Sequence, residues 1–152
     1  MHTNVHVEGE KQRTVEDYLR AIYKLEELTG IAKTSMLARE LGVAPATVVK
    51  MLTKLVRKGL VVWEPYKGYK LTPQGRRIAI RVVWRHRIAE CFFNKLLGFD
   101  VIKSHEYAHV FEHLPDEVFE RLYEILGKPA TCPHGSPIPQ LSTQSPCTNH
   151  RV

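Results

Sequence analysis

Residues 34–58 read T-S-M-L-A-R-E-L-G-V-A-P-A-T-V-V-K-M-L-T-K-L-V-R-K. Thr34 is placed to cap a short helix with Met36, Leu37 and Leu41 apolar, and Gly42 stands where that helix must turn. The chain passes through Gly42-Val43-Ala44 and re-enters a helix at Pro45, whose fixed φ suits a first helical position. Along Pro45–Lys58, the positions Val48, Val49, Leu52, Leu55 and Val56 form the predicted inner set. Ala46, Thr47, Lys50, Thr53, Lys54 and Arg57 are the outward set. Two short helices joined by a tight glycine-containing turn make a helix-turn-helix. In that motif the second helix enters the DNA major groove, and residues near its start reach base edges.

The next stretch, Leu60 to Leu71, is L-V-V-W-E-P-Y-K-G-Y-K-L. β-Branched and aromatic residues at both ends and a Pro-x-x-Gly turn between them predict a hairpin. A recognition-type helix followed at once by a basic hairpin is the winged-helix order. The wing lysines Lys67 and Lys70 sit where phosphates would be met, which supplies affinity with little sequence information. Thr34, Pro45, Ala46, Thr47, Lys50 and Lys54 complete the candidate contacts to double-stranded DNA. The Thr47 methyl suits a thymine methyl, and Lys50 suits a guanine edge or a phosphate. Charge agrees: residues 31–90 hold 13 lysines and arginines against 3 acids, whereas residues 91–130 hold 4 against 7. Basicity confined to one segment is what a lobe facing a polyanion requires.

Upstream, Thr14 is read as the cap of a first helix, with Asp17 as a partial capping box and Val15, Tyr18, Leu19, Ile22, Tyr23 and Leu25 at helical spacing up to Gly30. Downstream, Thr72-Pro73 opens a long helix running towards Leu97 and stopped by Gly98. Its predicted inward stripe is Ile78, Val82, Ile88, Phe92 and Leu96. His86 and Glu90 lie one turn apart on it, and Cys91 reads as a small buried hydrophobe.

Ser104 to His113 then reads S-H-E-Y-A-H-V-F-E-H. His105, His109, Glu112 and His113 fall within about a 100° arc of one helix face. Imidazoles and a carboxylate converging in this way suit a borderline divalent transition metal. His86 and Glu90 are placed to close the site from another helix. Val110, Phe111 and Leu114 form an apolar side beside the ligand face. A last helix, Asp116 to Leu126, carries Val118, Leu122, Ile125 and Leu126, with Phe119 and Tyr123 as a more exposed apolar surface suited to a dimer contact. From Lys128 the chain becomes a proline-rich strap, K-P-A-T-C-P-H-G-S-P-I-P-Q, in which Cys132 and His134 form only a weak metal signal, and residues 141–152 read as a flexible tail.

At 152 residues with 43% hydrophobic and 25% charged content, the chain is an ordinary globular one and not a disordered one. No apolar run approaches a membrane span, and the polar start lacks a signal-peptide core. Three widely spaced cysteines, Cys91, Cys132 and Cys147, suggest no disulfide framework, so a reducing cytoplasm is expected.

In T-V-E-D-Y-L-R-A-I-Y at 14–23, G-V-A-P-A-T-V-V-K-M-L at 42–52, K-G-L-V at 58–61, L-T-P-Q-G at 71–75, R-H-R-I-A-E at 85–90, H-x-x-x-H-x-x-E-H at 105–113 and C-P-H-G-S-P-I-P at 132–139, the chain resembles the diphtheria-toxin-repressor family of metal-dependent transcriptional regulators. The resemblance implies a mainly α homodimer: an N-terminal winged helix-turn-helix over 1–72, then a helical metal-binding and dimerisation domain over 73–140. Many relatives continue into a small SH3-like domain, and as a departure from them no C-terminal SH3-like domain is expected here. It implies a primary metal site of Asp17, His109, Glu112 and His113, and an ancillary site of His86, Glu90 and His105. Arg87 matches a basic residue that holds an anion near the ancillary metal. His109 stands where iron-responsive relatives tend to carry Cys and manganese-responsive ones Glu. The implied function is a repressor of metal-uptake genes activated by Fe(II) or Mn(II), with Zn(II) also compatible with so many histidines. A winged-helix regulator with a structural or Zn(II)-responsive site is one competing reading, and a metallohydrolase is another. Against an enzyme, the chain lacks H-E-x-x-H, a nucleophile elbow and a Gly-rich phosphate loop.

Overall fold

The structure is a computed structural model that describes residues 3–141, with side chains from residue 14 onward. The order is α1 (Thr3–Thr29), α2 (Thr34–Leu41), α3 (Pro45–Arg57), β1 (Val61–Glu64), β2 (Gly68–Leu71), α4 (Pro73–Cys91), a π-helical turn (Phe92–Leu96), α5 (Val101–Phe111) and α6 (Asp116–Ile125). Two compact units, Met1–Val82 and Val83–Val152, meet within α4. The tail from residue 142, including Cys147, lies outside the described residues.

In the first unit, Tyr18, Leu19, Ile22 and Leu25 of α1 pack with Leu37 of α2 and with Val48, Leu52 and Leu55 of α3. Gly42 ends α2 in the left-handed conformation at φ 65°, and Pro45 opens α3, as the turn chemistry requires. Three expectations are corrected. Thr14 is not a cap, because α1 begins well before it. Thr34 is the first residue of α2, and the cap position falls on Lys33, which makes no side-chain cap bond. Val49 and Val56 are 46% and 40% exposed. The i, i+4, i+7 stripe of Val48, Leu52 and Leu55 is fully buried, whereas Val49 and Val56 are rotated about 100° away from it.

The wing forms as an antiparallel hairpin with Val61 opposite Leu71 and Glu64 opposite Gly68. Ala32 joins its far edge through a pair of backbone bonds with Tyr69 at 3.0 and 2.8 Å. Thr72 caps α4 as expected, its hydroxyl accepting from Gly75 N–H at 3.1 Å. Gly75 is required by a close approach: a Cβ there would sit 1.9 Å from the carbonyl oxygen of Leu60. Glu26 ties α1 to this corner by accepting from Arg76 at 3.0 Å and from Leu71 N–H at 3.3 Å. Burial pushes its carboxyl up, against the opposing pull of Arg76, that N–H and Lys70.

In the second unit, Trp84, Ile88, Ala89 and Cys91 of α4 pack with Ala108, Phe119, Cys132 and Ile138. Phe119 is fully buried, which corrects its reading as an exposed dimer residue. It packs at a tilt against Trp84 and edge-on against Phe111, with ring centroids 6.2 and 5.7 Å away. Leu96 is 51% exposed and does not continue the inward stripe, because the π-helical turn shifts the phase of the helix after Cys91. Asp100, unnoticed in the sequence, caps α5 by accepting from Lys103 N–H at 2.7 Å. The proline-rich strap is anchored: Thr131 bridges Pro137, Ile138 N–H donates to Ala130, and Arg87 donates to the Pro137 carbonyl at 2.6 Å. Among the described residues no helix is long and apolar enough to cross a membrane.

Candidate metal centre and nucleic-acid interface

The second unit gathers six of the seven expected metal ligands. α4 supplies His86 and Glu90, α5 supplies His105 and His109, and the corner after α5 supplies Glu112 and His113. His86, Glu90 and Glu112 are 5%, 2% and 0% exposed. A buried carboxylate pair survives only where charges or donors compensate it, and here the compensating groups are imidazoles. His86 is the hub. Its Nδ1 lies 2.7 Å from Glu112 Oε2, and its Nε2 lies 2.9 Å from Glu90 Oε1 and 3.2 Å from His105 Nδ1. A carboxylate oxygen thus stands at each ring nitrogen of His86.

His105 Nε2 in turn meets His109 Nε2 at 3.0 Å, and its Nδ1 lies 3.5 Å from Glu90 Oε2. His113 Nε2 stands 3.6 Å from Glu112 Oε1, and His109 Nδ1 stands 4.0 Å from the same oxygen. Burial pushes the Glu90 carboxyl up, but hydrogen bonds and charge from His105 and His86 together outweigh it and hold the group well below the usual carboxylate range. Glu90 is thus kept anionic.

Within the second unit three overlapping donor groups result among the described residues: His86 with His109 and Glu112, His86 with Glu90 and His105, and Glu90 with Cys132 and His134, each with its ligand atoms within 4.8 Å of one another. Ligands bonded at about 2.1 Å lie about 3.0–3.4 Å apart in octahedral or tetrahedral arrangement. The separations of 3.0 and 3.2 Å between histidine nitrogens already match that spacing. The donor set fits a divalent transition metal, by chemistry and by convergence.

Two features were not read from the sequence. His86 belongs to both helical groups rather than to one. The strap's weak Cys-x-His signal reaches the centre: His134 Nδ1 is 2.6 Å from Glu90 Oε2, and Cys132 is 5% exposed beside them. Asp17 lies half-buried on α1 of the first unit. Arg87 is 7% exposed and engaged with the strap carbonyl.

On α3, Pro45, Ala46, Thr47, Lys50 and Lys54 are exposed, and Thr34 on α2 is half-buried. Val49, expected to face inward, is exposed between them. On the wing Lys67 is exposed, whereas Lys70 is half-buried and paired with Glu64 at 3.4 Å, which offsets part of its charge. Trp63 is 56% exposed and Tyr66, in the left-handed region at φ 63°, is fully exposed at the wing's tip.

Residues 12–69 match the family described as the iron-dependent repressor N-terminal DNA-binding domain, and residues 72–140 match its metal-binding and dimerisation domain. The chain is 38% identical over 130 residues to the diphtheria toxin repressor of Corynebacterium efficiens, covering 85% of this chain and 56% of that protein. It is 35% identical over 114 residues to the transcriptional regulator MntR of Geobacillus thermodenitrificans, covering 74% of this chain and 80% of that one. A solved manganese-dependent transcriptional repressor in complex with manganese superposes with a TM-score of 0.76 at 37% identity, over 83% of this chain and 58% of the other. The chain spans just over half the length of the diphtheria toxin repressors that it matches.

Proposed function

Because the chain belongs to the iron-dependent repressor family of transcriptional regulators, we propose that it is a metal-activated DNA-binding repressor of metal-uptake genes. The observation that carries this reading is the pairing, in one chain, of a basic winged helix with a buried cluster of histidines and carboxylates. The ligands proposed are Asp17, His86, Glu90, His105, His109, Glu112 and His113, with Arg87 near an anion. Fe(II) or Mn(II) is the expected ion. The group of Glu90, Cys132 and His134 favours a second reading, a Zn(II)-responsive regulator, because thiolate and imidazole are preferred zinc donors.

When bound, a divalent cation supplies the positive charge that lets two buried carboxylates and several neutral imidazoles face one point. His86, His105 and His109 would present ring-nitrogen lone pairs there. Glu90 and Glu112 would share that role as ligands, and their contacts at both ring nitrogens fix the orientation of His86. Asp17, placed on α1, would make the first unit responsive to the same event, and the response is a population shift towards the DNA-competent arrangement. Lys50, Lys54, Thr47, Ala46, Pro45 and Thr34 would meet the duplex from the helices, joined by Val49 and by Lys67 and Lys70 on the wing. The partners are then double-stranded DNA and a second copy of the chain, in the cytoplasm. An aromatic hollow of about 530 Å³, lined by Phe93, Phe99, Tyr107, Val110, Phe111 and Leu114, is the proposed dimer face.

Metal content tests the reading. Protein equilibrated with Mn(II) or Zn(II) and freed of excess should retain stoichiometric metal, and a His109→Ala, His113→Ala variant should lose most of it. Equal retention by both would reduce the histidine stripe to a packed polar face.

A further inference from the structure

We propose that Arg85 is a positioning residue for the metal centre, setting its affinity by fixing Glu112 and the corner that carries His113. The proposal rests on the metal-binding reading above and adds to it a residue that touches no ion. Arg85 precedes His86 on α4, and the two side chains reach the same residue from opposite ends. His86 Nδ1 lies 2.7 Å from the Glu112 carboxylate. Arg85 Nη1 donates to the Glu112 main-chain carbonyl at 3.2 Å, and its Nε donates to Asp116 Oδ1 at 2.7 Å.

The corner explains why such a grip is needed. α5 ends at Phe111, Glu112 is its C-cap at φ −62°, and α6 begins only at Asp116. The residues between them are His113, Leu114 and Pro115, and Pro115 has no N–H to offer a carbonyl. Carbonyls at a helix end lack intrahelical donors, and Arg85 supplies one to Glu112. Its other bond takes the carboxylate of Asp116, the first residue of α6, where an acidic side chain is also favoured by the helix dipole. One guanidinium therefore pins the end of α5 to the start of α6. The planar fork can hold both acceptors at once, which a lysine ammonium on a longer flexible stem does poorly.

The side chains of Arg85 and Asp116 are only 13% and 27% exposed. The pair is thus shielded from the screening that makes most surface ion pairs negligible. Glu112 is fully buried and belongs to the corner that this pair fixes. Ligand geometry must be held within about half an ångström for full affinity. Groups that orient ligands commonly change metal affinity 10–100-fold when removed. Arg85 stands in that relation to Glu112 through the backbone, rather than through the ligating oxygen.

The test uses the full chain and two probes, Mn(II) affinity from the electron paramagnetic resonance signal of the free ion and the visible absorption of bound Co(II). Three variants are compared: Arg85→Met, Arg85→Lys and Asp116→Asn. Thermal unfolding of each metal-free protein is recorded separately. Arg85→Met should weaken Mn(II) binding about 10–100-fold and alter the Co(II) band shape. Arg85→Lys should recover part of the affinity, and Asp116→Asn should weaken it by a smaller factor. If Arg85→Met does not fold, the near-isosteric Asp116→Asn carries the comparison. Unchanged Mn(II) affinity and an unchanged Co(II) spectrum in the folded variants, whatever their stability, would reduce the pair to a structural strut and overturn the proposal alone. A wild-type protein that binds neither ion would overturn the metal reading and this proposal with it.

Discussion

Glu112→Gln separates the two roles of the buried centre. The substitution keeps the volume of a side chain with no exposed surface and removes one of the two carboxylates facing His86. In metal-free protein the lost charge-assisted bond at 2.7 Å costs about 1.5–3 kcal/mol. Relief from burying a carboxylate is of the same order and opposite sign. The metal-free stability should therefore change by no more than about 2 kcal/mol in either direction. With metal the balance is one-sided, because an anionic ligand is gone. Wild-type protein at a metal concentration 1,000 times its Kd gains about 4.1 kcal/mol. A variant with 100-fold weaker affinity gains only about 1.4 kcal/mol at that concentration. For a chain of this size each kcal/mol moves Tm by about 2–4 °C. Mn(II) should thus raise the wild-type midpoint by about 8–16 °C and the variant's by about 3–6 °C. Differential scanning calorimetry with and without Mn(II) reads both numbers. Equal metal-induced shifts in the two proteins would refute the assignment of Glu112 as a ligand.

Gly75→Ala should destabilise the winged-helix unit by about 3 kcal/mol, since the new methyl would overlap the Leu60 backbone and cannot be relieved by a rotamer change; urea unfolding measures this, and a cost below about 1 kcal/mol would contradict the close approach. Lys50→Ala should weaken DNA binding and lower the salt dependence by about one unit if Lys50 meets a phosphate, or reduce sequence discrimination by about 1–3 kcal/mol if it reads a guanine; anisotropy across a salt series distinguishes the two, and no change in either would remove Lys50 from the interface. Burial, reinforced by Cys132 and Glu90 against the pull of Lys95, pushes the Cys91 thiol up to about 11. A raised folded value means that its contribution to stability is intact below the unfolded value of about 8.5 and is lost as pH rises towards the folded one. Denaturant midpoints of wild type should therefore fall between about pH 9 and 11 more steeply than those of Cys91→Ala, and parallel profiles would refute the point.

The elements that were legible in the sequence are those that local chemistry decides. Gly42 and Pro45 mark the turn between α2 and α3, Thr72 marks the start of α4, and the Pro-x-x-Gly segment marks the wing, because each position demands a particular backbone conformation or donor. The histidine stripe was legible because helical spacing alone aligns it. Tertiary choices were not legible. Whether Val49 and Val56 or only Val48, Leu52 and Leu55 face inward depends on how far the neighbouring helices wrap α3. Phe119 could not be told from a surface aromatic until Trp84 and Phe111 closed over it. The position of His86 between two carboxylates from different elements, and the return of the strap to set His134 against Glu90, are long-range facts that no local period encodes.

The central claim is that the metal centre governs DNA binding, and fluorescence anisotropy on the promoter of a neighbouring metal transporter tests it most directly. Mn(II), Fe(II) and Zn(II) would be titrated separately at one fixed salt concentration, since affinity for DNA has no meaning without it. The account predicts that at least one ion raises affinity tenfold or more, a coupling of about 1.4 kcal/mol, and that a chelator reverses it. Affinity unchanged by every ion and by chelation would contradict it and leave the centre a structural one.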